Sequence, residues 1–271
     1  MTAHQNQGTA LVTGASSGIG AVYADRLARR GYDLILVARN RDRLGALAQR
    51  LTRETGRTIE VIAADLNSSA DTARVEETLR TDASITMLVN NAGVVGTAPL
   101  LNSNVGKMEE MITLNVTALT RLTYAVVPGF VARGRGTIVN ISSVVAMAPE
   151  ILNGVYGGTK AFVLAFSQSL RHELADKGIR VQVVAPGMTA TEFWGIAGTP
   201  LEHLPQNLVM SGEDLVDAAL SGLDQGEFVT IPPLQNIADW DAYESARQNM
   251  NGKLSSTNPA ERYNVGTRKV A

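Results

Sequence analysis

Tyr156 and Lys160 stand four residues apart, and Ser143 precedes the tyrosine by thirteen. On a helix, positions i and i+4 share one face, which brings the phenol and the ammonium within a turn of each other. Ser143 follows a strand-like run, TIVNIS, from Thr137 to Ser142. A phenol, an ammonium and a hydroxyl gathered in this way can place a proton on an oxygen or remove one. A Tyr-x-x-x-Lys pair by itself is more often a solvated helix face, so its weight depends on its surroundings.

Short apolar, β-branched runs alternate with helical patterns along the chain. Strands are expected at Thr9–Thr13, Asp33–Ala38, Ile59–Ala64 and Thr86–Asn91, then at Thr137–Ser142, Arg180–Ala185 and Glu227–Ile231. Their residues run on as apolar stretches rather than alternating with polar ones, as in parallel strands buried on both faces. Intervening helices, such as Ala21–Arg30, Arg41–Glu54 and the long stretch Lys107–Ala132, complete βαβ units. The expected fold is α/β: a doubly wound parallel sheet of about seven strands with helices on both faces, in one domain over 1–271. Residues Met188–Met210 hold Gly195, Gly198, Pro200 and Pro205 and read as a substrate-covering loop region. From Pro232 to Ala271 a C-terminal extension carries one helical candidate, Ile237–Met250, and a polar tail.

The first βα junction reads Thr13-Gly14-Ala15-Ser16-Ser17-Gly18-Ile19-Gly20. Glycines permit a sharp turn and close backbone approach to a pyrophosphate, while the helix N-terminus offers N–H donors and a favourable dipole. Where a carboxylate would hold the ribose 2′-hydroxyl of NAD(H), the second strand ends in Ala38-Arg39. A guanidinium there suits a 2′-phosphate, so the expected cofactor is NADP(H) rather than NAD(H). Asp65 closes the third strand near the adenine edge. Small residues in Asn90-Asn91-Ala92-Gly93 leave room for a cofactor at the end of the fourth.

The composition narrows the remaining classes. The 271 residues carry a formal net charge of −2, so no basic field invites nucleic acid or an anionic membrane. There is no cysteine, hence neither a disulfide framework nor thiolate chemistry, which fits a cytoplasmic location. No run approaches the length of a membrane span, and the first residues lack the pattern of a secretory signal. Three histidines without paired-ligand spacing leave no expected metal site.

Taken together, TGASSGIG at 13–20, NNAG at 90–93, Asn115, Ser143, Tyr156-x-x-x-Lys160 and the run Pro186-Gly187-Met188-Thr189-Ala190-Thr191 resemble the short-chain dehydrogenase/reductase superfamily in its single-domain, Rossmann-like form. The resemblance covers roughly Thr9 to Thr191. It implies hydride transfer between a nicotinamide and a carbonyl or alcohol carbon, with Tyr156 as the acid in reduction and the base in oxidation. Lys160 would lower the tyrosine pKa and bind the nicotinamide ribose, Ser143 would hold the substrate oxygen, and Asn115 would position a water behind Lys160. Cofactor contacts are implied at Gly14, Ser16, Ser17, Gly18, Ile19, Gly20, Arg39, Asp65, Leu66, Asn91, Ala92 and Gly93. Further contacts are implied at Tyr156, Lys160, Pro186, Gly187, Thr189 and Thr191. Of the neighbouring pair Ser142 and Ser143, strand alternation points the side chains oppositely; the thirteen-residue spacing selects Ser143.

Phe193, Trp194, Ile196, Leu201, Leu204 and Leu208 populate the loop region, and Lys and Arg are absent from Pro186 to Met210 and from Ser143 to Tyr156. Val144, Val145, Met147, Leu152 and Val155 add to the apolar set. A hydrophobic ketone, aldehyde or secondary alcohol is therefore the expected small-molecule substrate, although the same residues would serve equally to pack the loop on the body. Two alternatives stand beside this reading. One is a 3-oxoacyl reductase for carrier-bound substrates, docked through Arg133, Arg135 and Lys177. The other is an NADP-sensing regulatory protein without catalysis, which would have no need for the full set Asn115, Ser143, Tyr156 and Lys160. By resemblance the helices carrying Asn115 and Tyr156 imply a homo-oligomer, a dimer or tetramer, while the unusual C-terminal extension argues against the family's customary tetramer contact.

Overall fold

The computed structural model describes residues 7–192, 194 and 200–265. Among them, β1 (Thr9–Thr13), β2 (Asp33–Ala38), β3 (Ile59–Ala63), β4 (Ile85–Asn90), β5 (Gly136–Ile141) and β6 (Ile179–Val184) lie in one parallel sheet. Two later strands, β7 (Thr189–Ala190) and β8 (Met210–Ser211), pair with each other in parallel inside the region expected to be irregular. The short β9 (Val229–Thr230) completes the main sheet, whose order is β3-β2-β1-β4-β5-β6-β9. The chain therefore reverses its direction of travel across the sheet between β1 and β4. In open α/β sheets this is where a crevice opens at the carboxyl ends of the strands.

The strands divide their side chains between two cores, which is why each reads as an unbroken apolar run. From β1, Ala10 and Val12 enter one core and Leu11 the other; from β2, Leu34 and Leu36 oppose Ile35 and Val37. The first core packs helices α1 (Gly18–Arg29) and α2 (Arg41–Thr55) onto the sheet. On the opposite face lies α3 (Ser69–Thr81), whose Val75 and Leu79 enter the second core. Helix starts are set by side-chain caps: Asn40 accepts from the Arg43 amide at 2.9 Å, and Ser68 from that of Asp71 at 3.3 Å.

The expected helix Lys107–Ala132 is broken in three. It consists of α4 (Val105–Ile112), a π turn over Thr113–Ala118, and α5 (Leu119–Arg133). The expected strand Glu227–Ile231 shrinks to the two residues of β9. Its first residue finishes a helix instead, the Glu227 amide bonding the Gly222 carbonyl at 2.9 Å. Two helices finish this part: α6 (Gly154–Leu174), capped by Asn153, which accepts from the Val155 amide at 2.9 Å, and α7 (Gly212–Gln225), whose Leu215, Val216 and Ala219 join the first core.

The structure divides into two compact units, one up to Pro233 and one from Leu234 onward. Within the second, α8 (Ile237–Gln248) is capped by Asn236 and packs Trp240 against Tyr243 with ring centroids 5.5 Å apart.

Candidate active site

The β5 strand delivers Ser142 and Ser143 to the carboxyl edge of the sheet, and α6 returns Tyr156 and Lys160 over it. The two serines separate as alternation requires. Ser142 Oγ is buried and donates to the Lys160 carbonyl at 2.8 Å, whereas Ser143 hydrogen-bonds the phenol of Tyr156. The same Ser143 oxygen lies 3.4 Å from the Pro186 carbonyl and accepts from the Val145 amide at 3.3 Å, which fixes the hydroxyl between β5 and the loop after β6. Tyr156 and Lys160 are both buried. The ammonium of Lys160 donates to the Ile141 carbonyl at 3.0 Å and lies 5.8 Å from the centre of the Tyr156 ring.

Burial governs the protonation of this pair. It pushes the Tyr156 phenol up to about 12, against the smaller opposing effect of the Ser143 hydrogen bond. It also pushes Lys160 down to about 8. The expected lowering of the tyrosine pKa by Lys160 is thus not what the structure shows: withdrawal from water raises it, and the Lys160 ammonium is bonded to the Ile141 carbonyl. Near neutrality the site holds a neutral phenol, which is the form that donates a proton, beside a lysine that is still mostly charged.

Asn115 sits in the π turn, and its amide makes three hydrogen bonds. Its oxygen accepts from the Val94 amide at 2.9 Å, and its nitrogen donates to the Val94 carbonyl at 2.9 Å and to Thr159 Oγ1 at 3.1 Å. Thr159 in turn donates to the Tyr156 carbonyl at 2.8 Å. Asparagine is a poor interior helix residue because its side chain competes for backbone groups. Here that competition is satisfied by the loop after β4, which it fastens to α6. Gly93 sits in the same corner; a Cβ there would lie 3.1 Å from Asn115 Oδ1 and 3.6 Å from Lys160 Nζ.

The glycine turn is shaped for close approach of a ligand backbone. Gly14 and Gly18 take left-handed φ values of 66° and 52°, and a Cβ on Gly20 would come within 2.3 Å of the Gly14 carbonyl oxygen. Asn91 holds the turn from the next strand, donating to the carbonyls of Thr13 at 2.9 Å and Gly14 at 3.3 Å. The amides of Asn91 and Ala92 both donate to Thr13 Oγ1 at 3.0 Å. Ser16, Ser17 and Gly18 line a cavity of about 780 Å³ that also meets Thr191 and Leu201. The first turn of α1 carries no acidic residue. A tight glycine turn, an uncapped helix N-terminus and an adjoining cavity fit the phosphates of a dinucleotide.

The other residues implied in cofactor binding are distributed along this edge. Arg39 is exposed directly after β2. Asp65 accepts from the Asn67 amide at 3.0 Å and so shapes the turn after β3. The side chain of Leu66 enters the second core, its carbonyl accepting from Thr72 Oγ1 at 3.2 Å, and Ile19 packs on the first core. Pro186 accepts from the Val144 amide at 3.0 Å, and Thr189 donates to the Gly187 carbonyl at 3.2 Å.

The apolar wall beside the tyrosine differs from the one expected. Val145 and Met111 pack with Tyr156 in a small buried cluster, joined by Val94, Val95, Met108, Leu152 and Val155. Val94, Val95, Met108 and Met111 escaped the sequence reading, although Val-Val after the Asn-Asn-Ala-Gly run and two methionines at helical spacing were available signals. Trp194 is buried and donates to the Thr189 carbonyl at 2.9 Å, which makes it a packing residue of the loop. Leu208 is exposed. Phe193 and Ile196, with Gly195 and Gly198, lie outside the described residues. Among the described residues, no cluster of potential metal ligands is present and no helix is long and apolar enough to cross a membrane.

A parallel sheet of this order, with a glycine turn after β1 and a Ser–Tyr–Lys group after β5, defines a dinucleotide-dependent oxidoreductase fold of the Rossmann-like type. The chain belongs to the short-chain dehydrogenase family, whose model matches residues 8–199. A serine 3-dehydrogenase of Agrobacterium fabrum is 39% identical over 188 residues, 69% of this chain and 74% of that protein. Among solved structures, a short-chain dehydrogenase from Sphingobium yanoikuyae in complex with NADPH matches with a TM-score of 0.91 and 53% identity, over 94% of this chain and all (100%) of that one. A bulky-bulky ketone specific alcohol dehydrogenase from Comamonas testosteroni matches with a TM-score of 0.88 and 48% identity, over 96% and 99% of the two chains.

Proposed function

We propose that the protein is an NADP(H)-dependent reductase of hydrophobic, sterically large ketones, working in reverse as a secondary-alcohol dehydrogenase. The observation that carries this reading is the buried Tyr156 phenol, bonded to Ser143 and packed in the apolar cluster of Val145, Met111 and their neighbours. The NADPH complex and the bulky-ketone specificity named for the two similar structures agree with it.

The bound nicotinamide would supply the hydride to the carbonyl carbon. The chain's residues handle the oxygen. Ser143 donates a hydrogen bond to it and Tyr156 gives up its proton to it; the raised pKa keeps the phenol protonated, and so available as the donor, near neutrality. The nearby ammonium of Lys160 stabilises the tyrosinate that remains. Gly14, Ser16, Ser17, Gly18 and Gly20 would hold the phosphates, and Arg39 the 2′-phosphate. Water is kept from the site by the apolar cluster, so the proton transfer takes place in a low-dielectric surrounding.

A carrier-bound 3-oxoacyl substrate is disfavoured by topology. Arg133 and Arg135 precede β5 and Lys177 precedes β6, so they lie at the opposite end of the sheet from Tyr156. A pure sensor has no use for the assembled group. For the assembly, Tyr124 on α5 stacks on Phe166 of α6 (centroids 6.4 Å), which stacks on Phe162 (5.6 Å). Tyr124 is 70% exposed and Phe162 38%, and we assign this aromatic stripe to self-association of a cytoplasmic homo-oligomer.

The test is cofactor oxidation measured with NADPH and NADH against diaryl ketones, small aliphatic ketones and short keto acids. Bulky ketones reduced with NADPH support the reading. A best substrate that is a small anionic keto acid overturns the substrate class, and a preference for NADH overturns the role of Arg39.

A further inference from the structure

Arg43 lies in the first turn of α2, four residues beyond Arg39. Its guanidinium donates to Glu192 Oε2 at 2.6 Å, an ion pair that spans 149 residues of sequence. Glu192 directly follows Thr191 in the segment after β7. Both members of the pair line the same cavity as Ser16, Ser17 and Gly18. A single ion pair therefore joins two segments that border the phosphate-loop cavity.

The chemistry of this pair is that of a replaceable contact. The side chains are 51% and 58% exposed, and ion pairs in such surroundings contribute little net stability. A phosphomonoester dianion carries more charge than a carboxylate and offers more acceptor oxygens to the planar guanidinium fork. An unphosphorylated ribose offers neither. Glu202, which lines the same cavity, is a second carboxylate near the exchange, and Arg39 and Arg41 are further cations on the α2 side.

We propose that Glu192 is an exchangeable counter-ion of Arg43, surrendered to a ribose 2′-phosphate dianion, so that this ion pair sets how strongly the chain discriminates 2′-phosphorylated adenine nucleotides from those with a free 2′-hydroxyl. The proposal rests on the NADP(H) reading above. It makes Glu192 an internal competitor: the carboxylate must leave before the phosphate is held, and its departure also releases the segment after β7 from α2. Removing the competitor tightens binding of 2′-phosphorylated ligands selectively, because those with a free 2′-hydroxyl never displace it.

The test is calorimetric titration of the full chain with adenosine 2′,5′-bisphosphate and, separately, with AMP, using wild type, Glu192→Gln, Arg43→Gln and the double variant. Thermal melting of each variant verifies that it is folded. Expected for Glu192→Gln is an affinity for the bisphosphate higher by about three- to fivefold, with AMP unchanged. Arg43→Gln should weaken the bisphosphate and abolish the effect of the Glu192 substitution in the double variant. Equal tightening of both ligands, or no change for the bisphosphate, overturns the exchange while leaving the NADP(H) reading in place. A wild type that binds the two ligands equally well overturns both.

Discussion

The ammonium of Lys160 donates to the Ile141 carbonyl and sits 5.8 Å from the centre of the Tyr156 ring, two buried titratable groups on one face of α6 whose pKa values burial moves apart, each toward its neutral form. Lys160 falls from its ordinary 10.5 to about 8, while Tyr156 rises from 10.0 to about 12. The site is held in a state that the chain by itself does not favour, which is the usual relation between catalytic groups and stability.

That relation has a measurable consequence for Lys160. Between about pH 8 and 10.5 the unfolded lysine binds a proton that the folded one has released, so stability rises with pH through that window. Below it, keeping the buried ammonium charged costs about 3 kcal/mol. Lys160→Met removes this cost and loses the hydrogen bond to Ile141, worth about 1 kcal/mol. The variant should therefore be more stable than wild type at pH 7 by about 2 kcal/mol, with the gain shrinking toward pH 10. Denaturant melts at the two pH values measure it. A variant less stable than wild type at pH 7 would contradict the burial argument.

Asn115 should behave as a positioning residue for the loop after β4. Asn115→Ala leaves the Val94 amide and carbonyl and the Thr159 hydroxyl without their partner, a loss of about 2–3 kcal/mol. Urea unfolding at an unchanged m-value reads this directly. Ser143→Ala, which removes long contacts of 3.3 and 3.4 Å together with the bond to the Tyr156 phenol, should cost less stability but more turnover. If the two variants were destabilised equally, the Asn115 bonds would not be the fastening described.

For the aromatic stripe, Tyr124→Glu combined with Phe162→Glu puts two charges on the surface proposed for self-association. The expected outcome is dissociation to monomers by sedimentation, with the melt little altered because both side chains face outward. An unchanged sedimentation coefficient would move the interface elsewhere.

Much of this was legible in the sequence, for identifiable reasons. The strands β1 and β2 are continuous apolar runs between glycine or polar punctuation, and their ends fall on the expected residues. The choice of Ser143 over Ser142 followed from strand alternation and spacing, and the structure sets the two side chains against different partners. The break in the α4–α5 helix was harder to see, since a π turn has no composition of its own. Asn115 was its one signal, and it points to an irregularity without giving its form. The ion pair of Arg43 with Glu192 was invisible because nothing local links residues 149 positions apart. The direction of the Tyr156 shift was misjudged because burial, which decides it, belongs to the packed chain and not to the spacing of Tyr156 and Lys160.

The central claim is that Tyr156 delivers the proton, and Tyr156→Phe tests it most directly. Turnover of a bulky ketone with NADPH and NADPH binding by fluorescence should be measured together on wild type and variant. The account predicts that turnover falls by about 10²–10⁴-fold while NADPH affinity stays within a few-fold of wild type. A variant that retains turnover, with its cofactor binding intact, would show that the proton comes from another group and would contradict the account.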